Sequence, residues 1–454
     1  MTKKNTLKKL CKDLLEESLV KCKKIDLEES VKQKQDKKYE FKNNIFNKEI
    51  QITKNDYSEF FSREKVENTL EKIDDFDDTV DIIATYKTIK ELYSKREIEV
   101  KKIVHSFIQN YVEAVDDFEF VSDEFNQVYE SFSKFLESDI LEVYYFTPIF
   151  KLTFPTKNKH KEFDKIKLTK IDDEKFKIIK EDLVGKIRAP PGYLHKLGYV
   201  LETRVPFENN SIKENAIAQE RFEKFLNAAH LFSAGDLKIG GFYRNFTPWT
   251  RDSSSFSKNH EIESSSSKVL KLNGNSIKKL VDFHKAYCEL SFDKHWSFIK
   301  VAIDRFTSSI LRTDPIDKIV DLNVALECLF SSAGETSLKI SNRTSMLAGI
   351  DDEQEHYWNF IKNEYKLRND ILHGRKPKDQ ISGDDIEELE EIIRICINKF
   401  LNFSENLSVK ELKVQGKLSK GKEVRDYVLE ELDVGLINRA KLEEFLRQSV
   451  GRFN

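Results

Sequence analysis

No stretch of about 18 apolar residues occurs in this sequence of 454 residues, so no transmembrane helix is expected. An apolar signal core is missing too. Residues 1–20 carry charges every few positions, and no signal peptide is expected. Cysteine is sparse: Cys11, Cys22, Cys288, Cys328 and Cys396 are odd in number, scattered, and form no C-x-x-C pair. That argues against a disulfide framework and against a structural zinc site. The thiols read as small, reduced hydrophobes of a cytoplasmic protein. An excess of one charge is also absent. Lys and Arg number 76 against 79 Asp and Glu, a formal net charge of −3. This excludes a uniformly basic nucleic-acid binder, but it leaves room for a local basic site.

What is present argues for a folded chain. Charged residues make up 34% and hydrophobic residues 39%, with 33 Phe and 15 Tyr to fill cores. At roughly 100–200 residues per domain, two to about four domains are expected. The patterning predicts a mainly α chain with an α+β middle region. Residues 1–140 read as mainly helical with a short β segment, and 141–270 as an α+β domain of unknown role. Residues 271–407 read as an all-helical bundle, and 408–454 as a small helical tail. No internal repeat appears.

Local patterns support this division. Leu7, Leu10, Leu14 and Leu15 have helical spacing, in a Lys-rich segment that reads as a basic arm or, more plainly, as a solvated helix or frayed tail. Residues 39–53 alternate as strands around an Asn-Asn turn. From 62 to 138 apolar residues recur at three and four. Residues 141–154, 165–170, 175–179 and 199–205 read as strands, and 217–232 as a helix. Residues 253–267 hold eight serines in fifteen positions, a hinge or surface loop. Beyond it, helices are expected at 276–290, 293–311, 315–331, 341–348, 352–373 and 384–402. Asp314 is the expected N-cap before Pro315 in the first turn.

The segment that carries chemistry is 365–378, YKLRNDILHGRKPK. Arg368 and His373 form an R-x4-H pair on a helix that should end at Gly374, with Pro377 beyond. His373 then lies in the last turn, where the negative end of the helix dipole favours its protonated form. Asn369, four residues earlier, shares its face. Arg368 is five earlier, about 140° around, but its side chain is long. From 366 to 378 there are five basic residues and one acid. Metal-free RNA cleavage needs such groups. A histidine can move a proton at the ribose 2′-hydroxyl or at the leaving 5′-oxygen. An arginine can stabilise the charge on phosphorus, and an amide can orient either. One R-x4-H supplies one histidine, so a homodimer would supply both acid and base. The plainer reading is a helix-capping histidine and a surface arginine.

Two further segments add context. Residues 325–330 read ALECLF and 337–343 read SLKISNR, both ahead of YKLRNDILHG. This ordered set, over about residues 314–403, resembles the Apea-like HEPN family. That family has an LE-x-LF helix, an L-x-x-R helix start and a Y-x-x-R-polar-x3-H-G helix. The resemblance implies a helical bundle that dimerises around its R-x(4–6)-H helices. It also implies a metal-independent endoribonuclease without cofactor, often an antiphage or abortive-infection effector. Arg368 and His373 would be the catalytic pair and Asn369 the polar residue beside them. Arg375, Lys376 and Arg343 would touch RNA, although for Arg343 the favoured reading is packing against Glu327 on the preceding helix. A phage-derived trigger or regulatory partner would act through the N-terminal regions, and no membrane is involved. Some HEPN proteins keep the fold without nuclease activity. The alternative is therefore a non-catalytic scaffold that binds RNA, nucleotide or a partner protein.

Other signals carry less. Arg188 and His195 also match R-x6-H, but they flank Pro190-Pro191-Gly192, which cannot be helical. Residues 416–423, GKLSKGKE, nearly spell a P-loop, but Glu423 stands where Ser or Thr should hold magnesium. Asp74, Asp75, Asp77 and Asp78 read as a helix start rather than a metal site. Phe242, Tyr243, Phe246 and Trp249 read as packing rather than base-stacking groups, and Cys328 as core rather than nucleophile. His105, His230, His284 and His295 lack ligand spacing.

Overall fold

A computed structural model describes residues 3–40, 64–86, 100–137, 142–153, 160–171, 175–176, 179, 198–206, 211–245, 254–256, 268–332, 336–349, 353–374, 381–419 and 422–453. Within them the chain is mainly helical, with a small antiparallel sheet in the middle. It divides into two compact units. One comprises 1–145, 204–217 and 243–254, and the other 146–203, 218–242 and 255–454.

The first unit is led by α1 (Lys3–Glu40), α2 (Glu64–Leu70), α3 (Asp74–Ala84), α4 (Val100–Val115) and α5 (Ser122–Leu136). The expected solvated or frayed N-terminus is instead a wall of this core. Leu7, Cys11, Leu14 and Leu15 are fully buried with Phe76, Phe107, Tyr111 and Phe132. Burying each leucine contributes about 1.5–3 kcal/mol, enough to hold a helix that its lysines alone would leave solvated. Tyr129 fastens the start of α1, its hydroxyl donating to the Lys4 carbonyl at 3.0 Å. Tyr39 belongs to the end of α1, and the rest of the expected strand pair, 41–53, lies outside the described residues. The acidic cluster opens α3, where Asp74, Asp75 and Asp77 occupy the first turn, as the dipole favours.

The middle of the chain supplies β1 (Glu142–Phe150), β2 (Leu152–Thr153), β3 (His160–Phe163), β4 (Ile166–Lys170), β5 (Tyr199–Pro206), α6 (Ser211–Phe232), β6 (Lys238–Ile239), β7 (Phe242–Asn245), β8 (Ser254–Phe256) and β9 (Leu270–Lys271). The main sheet runs β3-β4-β5-β1-β7-β8, with β6 also on β1, and β2 pairs with β9. The β3–β4 hairpin turns at Asp164, whose φ of 50° is one that aspartate tolerates. Gly240 gives its N–H to the Pro148 carbonyl at 2.8 Å, and a Cβ there would meet the proline ring at 2.6 Å. That close approach is the reason for glycine between β6 and β7. Residues 175, 176 and 179 are helical rather than extended, and Lys175 pairs with Glu202 at 3.3 Å. Phe242 and Tyr243 are buried, as packing groups should be, while Phe246 and Trp249 lie outside the described residues.

The second unit holds the helical bundle: α7 (Gly274–Glu289), α8 (Ser297–Leu311), α9 (Pro315–Phe330), α10 (Thr336–Ala348), α11 (Glu353–Leu372), α12 (Gly383–Asn406), α13 (Val409–Val414), α14 (Val424–Gly435) and α15 (Arg439–Leu446). Asp314 caps α9, accepting from the Ile316 N–H at 2.8 Å ahead of Pro315. One apolar core joins Phe306, Leu326, Ile340, Ile361 and Phe400. It extends past the expected borders at both ends. Ala228 and Leu231 of α6 belong to it, and so do Val428, Phe445 and Phe453. Within 408–454, α13, α14 and α15 are helical, and Val428, Phe445 and Phe453 pack into the bundle core. The physical reason is coverage. Periodicity reveals an apolar face, not which neighbour buries it.

Polar ties reinforce both extensions. Arg394 Nε donates to the His230 carbonyl at 2.8 Å, and Asn398 Nδ2 to the Leu231 carbonyl at 3.0 Å, which satisfies the last turn of α6. Arg425 of α14 does the same for α9, reaching the Cys328 and Ser331 carbonyls at 3.0 and 3.1 Å. Among the described residues, no helix is long and apolar enough to cross a membrane.

Candidate active site

The R-x4-H segment forms the second half of α11. Ile361, Leu367 and Ile371 bury one side against the bundle core. The helix stops as its sequence demands. Gly374 takes a φ of 66°, and its N–H closes the turn on the Ile371 carbonyl at 2.9 Å. His373 lies just past the last residue of α11, its N–H on the Asn369 carbonyl at 3.0 Å and its side chain exposed. Tyr365, Arg368, Asn369, Leu372 and His373 follow the i, i+3, i+4, i+7, i+8 rule, a single stripe of the helix. Arg368 and His373 form its two edges.

The arginine is held rather than free. Its Nη1 donates to Asn369 Oδ1 at 3.0 Å, and its Nη2 lies 3.4 Å from Glu327 Oε1. Its guanidinium carbon sits 5.6 Å from the centre of the Tyr365 ring. Tyr365 in turn donates its hydroxyl to the same Glu327 oxygen at 2.8 Å. Burial, and then that carboxylate, push the Tyr365 hydroxyl up to about 12. Glu327 of α9 thus gathers two residues of α11. The side chain of Arg368 keeps 20% exposure, and its Nε is buried with no acceptor among the described residues.

Arg343 of α10 contrasts with it. Its side chain is 5% exposed. Nε and Nη2 fork onto the Asp433 carboxylate at 2.8 and 2.6 Å, while Nη1 reaches the Phe330 carbonyl at 2.7 Å and Ser332 Oγ at 3.0 Å. The expected partner Glu327 goes to Arg368 instead. Arg343 therefore locks the α9–α10 connection to α14, and each of its three nitrogens bonds within the chain. Arg375 and Lys376 lie outside the described residues. So do Arg188 and His195.

In the sequence Tyr365 is only a motif letter, and Glu327 a motif letter and a partner for Arg343, with neither tied to Arg368. The signal was a glutamate inside the otherwise apolar run ALECLF, since a half-buried carboxylate needs partners. The remaining candidates are structural. Cys328 is half-buried, and desolvation raises its thiol. His230 is buried, with Nε2 2.9 Å from the Leu237 carbonyl, and His284 packs on Phe163, Phe225 and Cys288. In the near P-loop, the Lys417 N–H closes on the Leu412 carbonyl and Lys422 pairs with Glu430, while residues 420 and 421 lie outside the described residues. No cluster of His, Cys, Asp and Glu fit for a metal occurs among the described residues.

Compared with protein-family models, curated proteins and solved structures, the chain matches none.

Proposed function

We propose that this chain is a metal-independent endoribonuclease of HEPN type, working as a homodimer through the α9–α12 bundle. Arg368 and His373 carry the reaction, and Asn369 orients Arg368. The observation behind this reading is the contrast between the two motif arginines. Arg343 spends its donors inside the chain, whereas Arg368 is braced at one edge, partly exposed and incompletely satisfied. Buried polar groups are normally paired, and an unpaired donor at a partly exposed edge is one that a phosphate can satisfy. Leu372, 53% exposed on the same stripe, is an apolar contact for the second copy.

In this mechanism His373 of one copy takes the proton of a ribose 2′-hydroxyl. The 2′-oxygen attacks phosphorus, and the bond to the 5′-oxygen breaks. His373 of the second copy protonates that oxygen, leaving a 2′,3′-cyclic phosphate and a 5′-hydroxyl. Arg368 stabilises the charge that builds on the phosphoryl oxygens. On the family resemblance, the chain acts in the cytoplasm as an antiphage or abortive-infection effector. The N-terminal regions would then receive a phage-derived trigger or regulatory partner.

A second reading is a non-catalytic scaffold for RNA, nucleotide or protein. The Glu327–Arg368 pair favours it, because the carboxylate offsets part of the guanidinium charge. One experiment separates the two. Purified protein is incubated with RNA in EDTA, beside His373→Ala and Arg368→Ala. Wild type should leave cyclic-phosphate ends, and each variant should lose about 100-fold or more in rate. RNA binding without cleavage, unchanged by either substitution, would favour the scaffold.

A further inference from the structure

We infer that Glu327 is the positioning residue of the arginine, with Tyr365 as its anchor. This rests on the nuclease reading and adds a residue from a different helix to the site. Glu327 is fixed by the Tyr365 hydroxyl at 2.8 Å, and the same oxygen faces Arg368 Nη2 at 3.4 Å. Asn369 holds Nη1, and the Tyr365 ring lies under the guanidinium. Three groups therefore define where the plane of the guanidinium lies. An arginine side chain has many rotamers, and a free one must lose that freedom at the moment it meets a phosphate. Here the freedom is already lost.

The arrangement leaves donors available. Asn369 takes one N–H of Nη1, Glu327 faces Nη2 as an ion pair at 3.4 Å, and a guanidinium carries five N–H groups. The remaining N–H of each terminal nitrogen can meet two phosphoryl oxygens in the fork geometry arginine favours. The Glu327 charge lowers the net attraction for a phosphate in the ground state. Its benefit is orientation in the transition state, so its removal should appear in kcat rather than in KM.

The test uses the full chain. Wild type, His373→Ala, Glu327→Gln, Glu327→Asp and Tyr365→Phe are compared for single-turnover RNA cleavage, RNA affinity and melting temperature. Glu327→Gln should lower the cleavage rate about 10- to 100-fold. RNA affinity should stay within about threefold, on the tighter side, since no substrate contact is lost and one repelling charge is removed. Glu327→Asp should recover part of the rate, because it keeps the charge at a shorter reach. Tyr365→Phe should lose less than Glu327→Gln, because it keeps the carboxylate. Should Glu327→Gln fail to fold, Tyr365→Phe and Glu327→Asp carry the comparison. Wild-type cleavage in Glu327→Gln, or faster cleavage, overturns the positioning role while the nuclease reading stands. Wild type no faster than His373→Ala overturns the nuclease reading, and the role of Glu327 with it.

Discussion

Tyr365 and Glu327 meet at 2.8 Å, hydroxyl to carboxylate, and so tie α11 to α9 beside Arg368. A hydrogen bond to a charged group contributes about 1.5–3 kcal/mol. Tyr365→Phe should lower the stability of the bundle by an amount in that range, read from urea unfolding at neutral pH. The pair also has an alkaline signature. The folded pKa of Tyr365 is raised from 10.0 to about 12. Its share of stability is complete below 10 and is lost as pH rises through 12. Wild type should therefore lose more stability than Tyr365→Phe between pH 10 and 12. Equal losses would mean the hydroxyl is not held by Glu327.

The two motif arginines should separate stability from chemistry. Arg343→Ala leaves the Phe330 carbonyl and Asp433 without their donor, which should cost about 2–3 kcal/mol. Arg368→Ala removes a longer, partly exposed ion pair and should cost under about 1 kcal/mol. Melting curves of the two variants check this directly. A larger destabilisation by Arg368→Ala would point to a structural arginine at both positions.

Two buried histidines contribute to the acid limb of stability. Burial lowers both His230 and His284 from 6.5 to about 4. The unfolded chain binds their protons first, so stability is complete above pH 6.5 and falls as pH drops towards 4. His284→Phe, set among Phe163, Phe225 and Cys288, should flatten that limb. Denaturant midpoints measured from pH 7 to 4 give the slope, and an unchanged slope in the variant would contradict the assignment.

The thiols should be slow to react. Cys11, Cys22 and Cys396 are buried, and desolvation raises each thiol. Cys288 and Cys328 are half-buried, with the Cys288 thiol pushed up to about 11. At neutral pH a thiol reagent should modify at most two cysteines in the native chain and five after unfolding. More than two fast-reacting thiols in the native protein would contradict this burial.

Much of the local structure was legible in the sequence, because its causes are local. Asp314-Pro315 starts α9, Gly374 ends α11, and three- and four-residue periodicity places the helices of both units. The strand expected at 175–179 was misread because a short run of Lys, Phe and Ile has no period to separate strand from helix. The Lys-rich α1 was misread because burial depends on neighbours far along the chain, such as Phe107 and Phe132.

The sequence by itself determined the motif letters Glu327, Arg343, Tyr365, Arg368, Asn369 and His373, and the helix end that brings Asn369 and His373 close. Only the tertiary structure decided which carboxylate meets which arginine. Charge alone allowed Glu327 to pair with either. Folding places α14 against α10, so Asp433 takes Arg343 and Glu327 is left to hold Arg368 and Tyr365. That choice depends on contacts between residues about 40 to 90 positions apart, and no local pattern encodes it.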